Sequence, residues 1–191
     1  MLCKKLKVLH ISFAKLINKP TLEKIIELTY LESLTLRHTN ITEPNAFKNF
    51  FETGYFPKMR ILHLEKCDSL NDDALFYIPI WYYLFPFNIH SFSSFIFHSL
   101  ISSCPSLQEL YLPWCWEISE DGFKCIAIGC KNLKWLDLTG LTAVTGDIFQ
   151  EAPSYYLPKI EYINLTYCRG VRNVKTLKDF QLNISYFIDK Y

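Results

Sequence analysis

The chain has 191 residues, half of them hydrophobic, and a formal net charge of +1 from 20 basic and 19 acidic side chains. That length suits one domain or a short solenoid, and so apolar a composition can fill a core. A charge so close to balance gives no bulk electrostatic case for a nucleic-acid or anionic-membrane partner. From the N-terminus onward, the pattern L-x-x-L-x-L recurs. It appears as Leu6-Leu9-Ile11, Leu31-Leu34-Leu36, Met59-Leu62-Leu64, Leu107-Leu110-Leu112, Leu133-Leu136-Leu138 and Ile160-Ile163-Leu165. The steps between first residues are 25, 28, 48, 26 and 27. Self-similarity at this period predicts a solenoid, which presents a surface, over a pocket that performs chemistry.

Positions are counted here from the first residue of each copy. A short strand alternates its sides, so positions 4 and 6 should face inward with position 1, and positions 3 and 5 outward. A second apolar set follows each strand. In the first copy it is Ile17, Leu22, Ile25 and Ile26, and in the third Leu70, Asn71, Asp72, Asp73 and Leu75. The fourth copy is the clearest, with Ile118 and then Phe123, Ile126 and Ala127 at helical spacing. Ser119 is a predicted N-cap, Glu120 and Asp121 favour the first turn, and Gly129 can end the helix. Val144, Thr145, Asp147 and Phe149 match in the fifth copy, and Val171, Val174 and Leu177 begin another set after the sixth. The predicted fold is therefore α/β, a curved solenoid with short parallel strands on the concave side and helices on the convex side. Strands stack more closely than helices, which sets the curvature.

The long step contains about 22 extra residues. Residues 1–78 read as a first block of about three repeats, 79–99 as an apolar aromatic insertion, 100–178 as a second block of about three, and 179–191 as an irregular tail. No Lys, Arg, Asp or Glu lies between Asp73 and Glu109. Three readings of the insertion compete. An uncharged run this long reaches membrane-spanning length, but Pro79, Pro86, Asn88 and His90 dilute it, and a span would sever the solenoid. It is otherwise a loop that packs on the solenoid or grips a partner, or a stretch without selected function, such as retained intervening sequence. The abrupt change of composition and the clean resumption of the repeat favour the last. Cys3-Lys4-Lys5-Leu6 matches the junction Cys130-Lys131-Asn132-Leu133, so the chain is expected to begin at the end of a preceding repeat, as a fragment without polar caps.

Of seven cysteines, Cys67, Cys115 and Cys168 hold one place after a strand, and Cys3, Cys104 and Cys130 stand three residues before the next strand's first apolar residue. Reduced Cys is small and readily buried. These six are expected in the repeat core in a reducing compartment, cytoplasmic or nuclear. Zinc is disfavoured because paired C-x-x-C units are missing. No convincing signal peptide follows Met1.

The stretch from Cys104 to Cys130, CPSLQELYLPWCWEISEDGFKCIAIGC, resembles the cysteine-containing leucine-rich repeat of F-box/leucine-rich-repeat proteins. That repeat follows C-x-x-L-x-x-L-x-L-x-x-C-x-x-I-[ST]-D-x-G-[LF], with a one-residue tolerance here around Asp121. The resemblance implies the target-binding region of a substrate receptor in an SCF-type (cullin-based) ubiquitin ligase. An F-box would dock the ligase adaptor while the repeats hold a target protein. The F-box would precede the repeats, and this chain has no room for it, so the adaptor would be reached only through a segment absent here.

No glycine-rich phosphate loop, H-E-x-x-H or G-x-S-x-G occurs, so no catalytic, metal or cofactor site is expected. His10 and His63 share position 5 but are separated by Thr35, about 10 Å for two strand spacings. They read as surface histidines. The outward positions of the later copies instead gather Glu109, Tyr111, Trp135, Asp137 and Tyr162, and position 8 adds Trp114 and Tyr167. Large amphipathic aromatics are common binding anchors, and Glu109, Asp137 and Glu161 would orient a basic or hydrogen-bonding partner. Alternatively these rings cover gaps or pack against other segments. Trp116, beyond the strand, should cover a turn or pack between repeats. The expected function is protein recognition without catalysis. A non-ligase intracellular leucine-rich-repeat adaptor or regulator is the second reading, and an enzyme a remote third.

Overall fold

A computed structural model of the chain describes residues 3–14, 17–39, 41–43, 45–75, 100–148 and 156–171. The expected insertion at 79–99 and the tail at 179–191 lie outside these residues. The strands are β1 (Val8–Ser12), β2 (Ser33–Arg37), β3 (Ile61–Glu65), β4 (Glu109–Tyr111), β5 (Trp135–Asp137) and β6 (Tyr162–Asn164). They form one six-stranded sheet in chain order, every neighbour parallel. Helices α1 (Lys19–Ile26), α2 (Ala46–Thr53), α3 (Asp72–Leu75), α4 (Leu100–Ser103) and α5 (Glu120–Gly129) lie in the connections, α3 and α4 both between β3 and β4. This is the α/β leucine-rich-repeat-like solenoid expected from the period.

The register follows the repeat numbering. Leu9 pairs Leu34, Leu34 pairs Leu62, Leu62 pairs Leu110, Leu110 pairs Leu136 and Leu136 pairs Ile163. The third and fourth copies therefore stack directly, although 48 residues separate their starts. Each position-2 carbonyl accepts two N–H groups from the following repeat: Lys7 from Glu32 and Ser33, Glu32 from Arg60 and Ile61, Arg60 from Gln108 and Glu109. Gln108 and Lys134 continue the series toward β5 and β6. Inward positions 1, 4 and 6 are buried from Leu31 to Leu165. Leu6, Leu9 and Ile11 are only partly buried, because β1 is the sheet edge with a neighbour on one side.

Local chemistry explains the helices. Asn18 sits in extended backbone and its side chain accepts from Thr21 N at 3.2 Å, capping α1, with Pro20 in the first turn where no amide is needed. Ser119 caps α5 by accepting from Asp121 N at 3.1 Å, as its sequence predicts. Caps also tie repeats together. Asp72 accepts from the Ser119 amide at 2.9 Å, and Glu120 accepts from the Thr145, Gly146 and Ile148 amides at 2.7, 3.1 and 2.9 Å. Under β2 and β3, α2 buries Phe47, Phe50 and Phe51, with Phe50 5.2 Å from the buried Phe56 ring.

All seven cysteines are free thiols. The post-strand set forms a ladder: Cys67 Sγ lies 3.6 Å from the Leu36 carbonyl, Cys115 3.2 Å from Leu64 and Cys168 2.9 Å from Leu138. Each thiol thus donates to position 6 of the preceding repeat, which would otherwise leave a buried acceptor poorly satisfied. Burial pushes the Cys115 and Cys168 thiols up to about 12, so they are poor nucleophiles. Cys3 departs from expectation. It is exposed, beside the edge strand β1, which has no neighbour on its outer side among the described residues.

Candidate protein-binding surface

The outward side chains of the strands line up across the sheet by register. In the second half they form a ring ladder. Trp135 stacks on Tyr162 with centroids 3.8 Å apart and planes at 20°, and Tyr111 lies 6.4 Å from Trp135. His63 extends the ladder into β3, stacked on Tyr111 at 5.0 Å and 22°. Such cross-strand stacking fixes ring orientation, and Trp135 remains 38% exposed. Glu109, half-buried, accepts from the Tyr111 hydroxyl at 2.9 Å, and burial together with this carboxylate pushes the phenol pKa up. Asp137, also half-buried, accepts through Oδ1 from both Thr139 N and Thr139 Oγ1.

Trp114 and Tyr167 belong to a separate ridge at position 8. The backbone there is left-handed in every copy: φ is 56° at Phe13, 48° at His38, 50° at Lys66, 61° at Trp114, 77° at Gly140 and 61° at Tyr167. Each position-8 amide from Phe13 to Gly140 donates to the position-7 carbonyl of the next repeat, which holds the turn open. Trp114 reaches across Gly140 to stack on Tyr167 at 5.7 Å and 29°. A Cβ on Gly140 would stand 2.2 Å from the Trp114 ring, so only glycine leaves room for this crossing. Trp116 adds an edge contact to Trp114 at 6.5 Å and is otherwise 54% exposed, so it extends the ridge outward and does not bury between repeats. The expected site residues thus fall into a ladder (Tyr111, Trp135, Tyr162, with Glu109 and Asp137) and a ridge (Trp114, Tyr167).

The first half of the same face carries charge. Glu65 bonds Arg37 Nε at 2.5 Å and His38 Nε2 at 3.0 Å, and His63 Nε2 stands 3.4 Å away. Burial alone would raise the Glu65 carboxyl, but the Arg37 hydrogen bond and charge, helped by both histidines, hold it below the usual range. His63 corrects the surface reading. Its Nε2 is buried without a hydrogen-bond partner, and burial, then the Arg37 charge, pushes its pKa below the usual 6.5. Phe13 stacks on His38 at 4.6 Å. Glu161, read from the sequence as able to orient a basic partner, pairs Lys134 within the chain at 3.1 Å.

Among the described residues no group of three or more His, Cys, Asp or Glu is placed to hold a metal ion. Among them, too, no helix is long and apolar enough to cross a membrane. No family model matches the chain. Twelve chains of solved structures do match it. One comes from the crystal structure of the Rad7 and Elc1 complex in yeast, at 19% identity and a TM-score of 0.60, covering 88% of this chain and 37% of the yeast one. This chain therefore spans well under half of that protein's length. At such identity the likeness speaks for the fold alone, a leucine-rich-repeat-like solenoid on one parallel sheet.

Proposed function

We propose that the chain is a protein-recognition module without catalysis, the target-binding repeat region of an SCF-type ubiquitin-ligase substrate receptor. The observation that carries recognition is the ring ladder His63–Tyr111–Trp135–Tyr162, fixed on the parallel sheet with Trp135 38% exposed. Preordered aromatics offer large contact area with little side-chain entropy left to lose. The ligase assignment draws on the resemblance of the Cys104–Cys130 repeat to the F-box/leucine-rich-repeat class. A chain of the same fold in a two-protein yeast complex is a precedent for such a repeat array working within an assembly. Free, buried thiols agree with a reducing compartment, cytoplasmic or nuclear.

Replacing Tyr111, Trp135 and Tyr162 together with Ala tests recognition. Capture of a defined target should fall at least tenfold, about 1.4 kcal/mol, while far-UV circular dichroism keeps the folded signature. Unchanged capture by the folded variant removes the ladder from the interface. The full-length product of the transcript, used as bait, then separates the ligase from the adaptor reading. Recovery of a cullin with the target supports the former. Recovery of the target alone supports an adaptor or regulator.

A further inference from the structure

The strand face of β4–β6 is electrostatically one-sided. In register, Glu109, Trp135 and Tyr162 form one row, and Tyr111, Asp137 and Asn164 form the next. Carboxylates and rings therefore alternate over a small patch. Two hydrogen bonds, from Thr139 N at 2.9 Å and Thr139 Oγ1 at 2.6 Å, fix Asp137 Oδ1. They aim the carboxylate and leave Oδ2 without a partner among the described residues. No Lys or Arg pairs with Glu109 or Asp137 among those residues, and the basic side chain closest in sequence, Lys134, is engaged by Glu161. The Asp137 charge reaches Tyr111 and Tyr162, adding to burial in raising both phenols, and opposes the downward shift of His63. An oriented carboxylate beside an exposed indole, with its field unneutralised, is complementary to a cation that is also flat.

We infer that this patch receives an arginine side chain from an extended segment of the target protein. The guanidinium lies against the Trp135 face turned away from Tyr162 and donates to Asp137 Oδ2. A guanidinium satisfies both demands together, since it stacks on π-faces and presents donors in its own plane. The compact, strongly hydrated ammonium of lysine meets only the charge. The first half of the sheet offers no equivalent site, because Glu65 is already bonded to Arg37 and His38. This inference rests on the ladder being the recognition surface proposed above.

The test pans random-sequence peptides of fixed length, displayed on phage, against the whole chain. The expected result is an enriched set sharing one Arg. In a synthetic peptide from that set, Arg→citrulline should weaken binding about tenfold or more and Arg→Lys severalfold. Asp137→Asn should cause a loss similar to citrulline, and it keeps Oδ1 as acceptor for Thr139, so the turn survives. Enrichment without Arg, no enrichment, or indifference to both citrulline and Asp137→Asn overturns the arginine assignment. Should such Arg-independent peptides still lose binding to the Tyr111, Trp135 and Tyr162 triple-alanine variant, the surface stands and only its ligand is wrong. Peptides that bind the triple variant as tightly as the parent chain overturn both.

Discussion

The two halves of the strand face share one backbone and differ in what they leave unsatisfied. Across β2 and β3, Arg37, His38 and His63 converge on Glu65, so the charges answer one another within the chain. Across β4 to β6, stacked rings surround Asp137, whose charge meets no cation among the described residues. The same repeat register and inward aliphatic residues, mostly leucine, carry both. A repeat backbone therefore settles where a side chain stands and leaves to the outward residues whether a surface closes on itself or awaits a partner.

Phe50→Ala should have the largest effect, roughly 3–5 kcal/mol of stability, because it empties the aromatic core under the first half. The position-2 hydrogen bonds run unbroken from Lys7 to Lys134. Urea unfolding is therefore expected as one transition, coincident by circular dichroism and, in a Trp81→Phe background, by emission from Trp114, Trp116 and Trp135 of the second half. An early step that leaves the tryptophan emission native would make the halves separate folding units. Gly140→Ala should cost about 1–3 kcal/mol for a non-glycine residue in this backbone region, with a further cost from displacing Trp114. Its sharper readout is local. Tryptophan emission should shift as the Trp114–Tyr167 stack opens, while the Arg37–Glu65 pair stays in place.

The smallest effect is a pH dependence of the first half. An unfolded His63 takes up its proton near 6.5, and the folded one at a lower pH. Its contribution is therefore complete above 6.5, declines as pH falls through that value, and stops changing below the lowered folded pKa. His63→Gln should flatten this part of a pH series of urea midpoints. It should leave the separate loss at lower pH, where the Glu65 carboxylate is protonated below its usual 4.5. A slope unchanged by His63→Gln would assign the dependence to another group.

Most of the fold was legible because the period does the arithmetic. Counting from Leu6, Leu31, Met59, Leu107, Leu133 and Ile160 places every inward residue and predicts that Trp135 neighbours Tyr162. The same count places His63 beside Tyr111, but only the three-dimensional packing reveals how deeply its Nε2 is buried. Helix α2 was harder to read. Phe47, Phe50 and Phe51 have helical spacing, yet Asn45 enters the helix in a left-handed conformation and makes no side-chain cap bond. The split of the candidate site into ladder and ridge was legible only as a difference of position, with Trp114 and Tyr167 just past the strands, and its geometry was not. It depends on a left-handed turn at position 8, where the residues are Phe, His, Lys, Trp, Gly and Tyr. Only one of those six types advertises such a backbone.

That recurrent turn makes the solenoid unusually easy to interrogate. Side chains other than glycine hold the left-handed region at an energetic penalty, on the order of 1 kcal/mol each. Phe13, His38, Lys66, Trp114 and Tyr167 all sit there. Truncation to glycine at any of them relieves backbone strain while deleting the group presented outward. A glycine scan along this single column can therefore remove contacts with little damage to the scaffold, mapping a partner's footprint one repeat at a time.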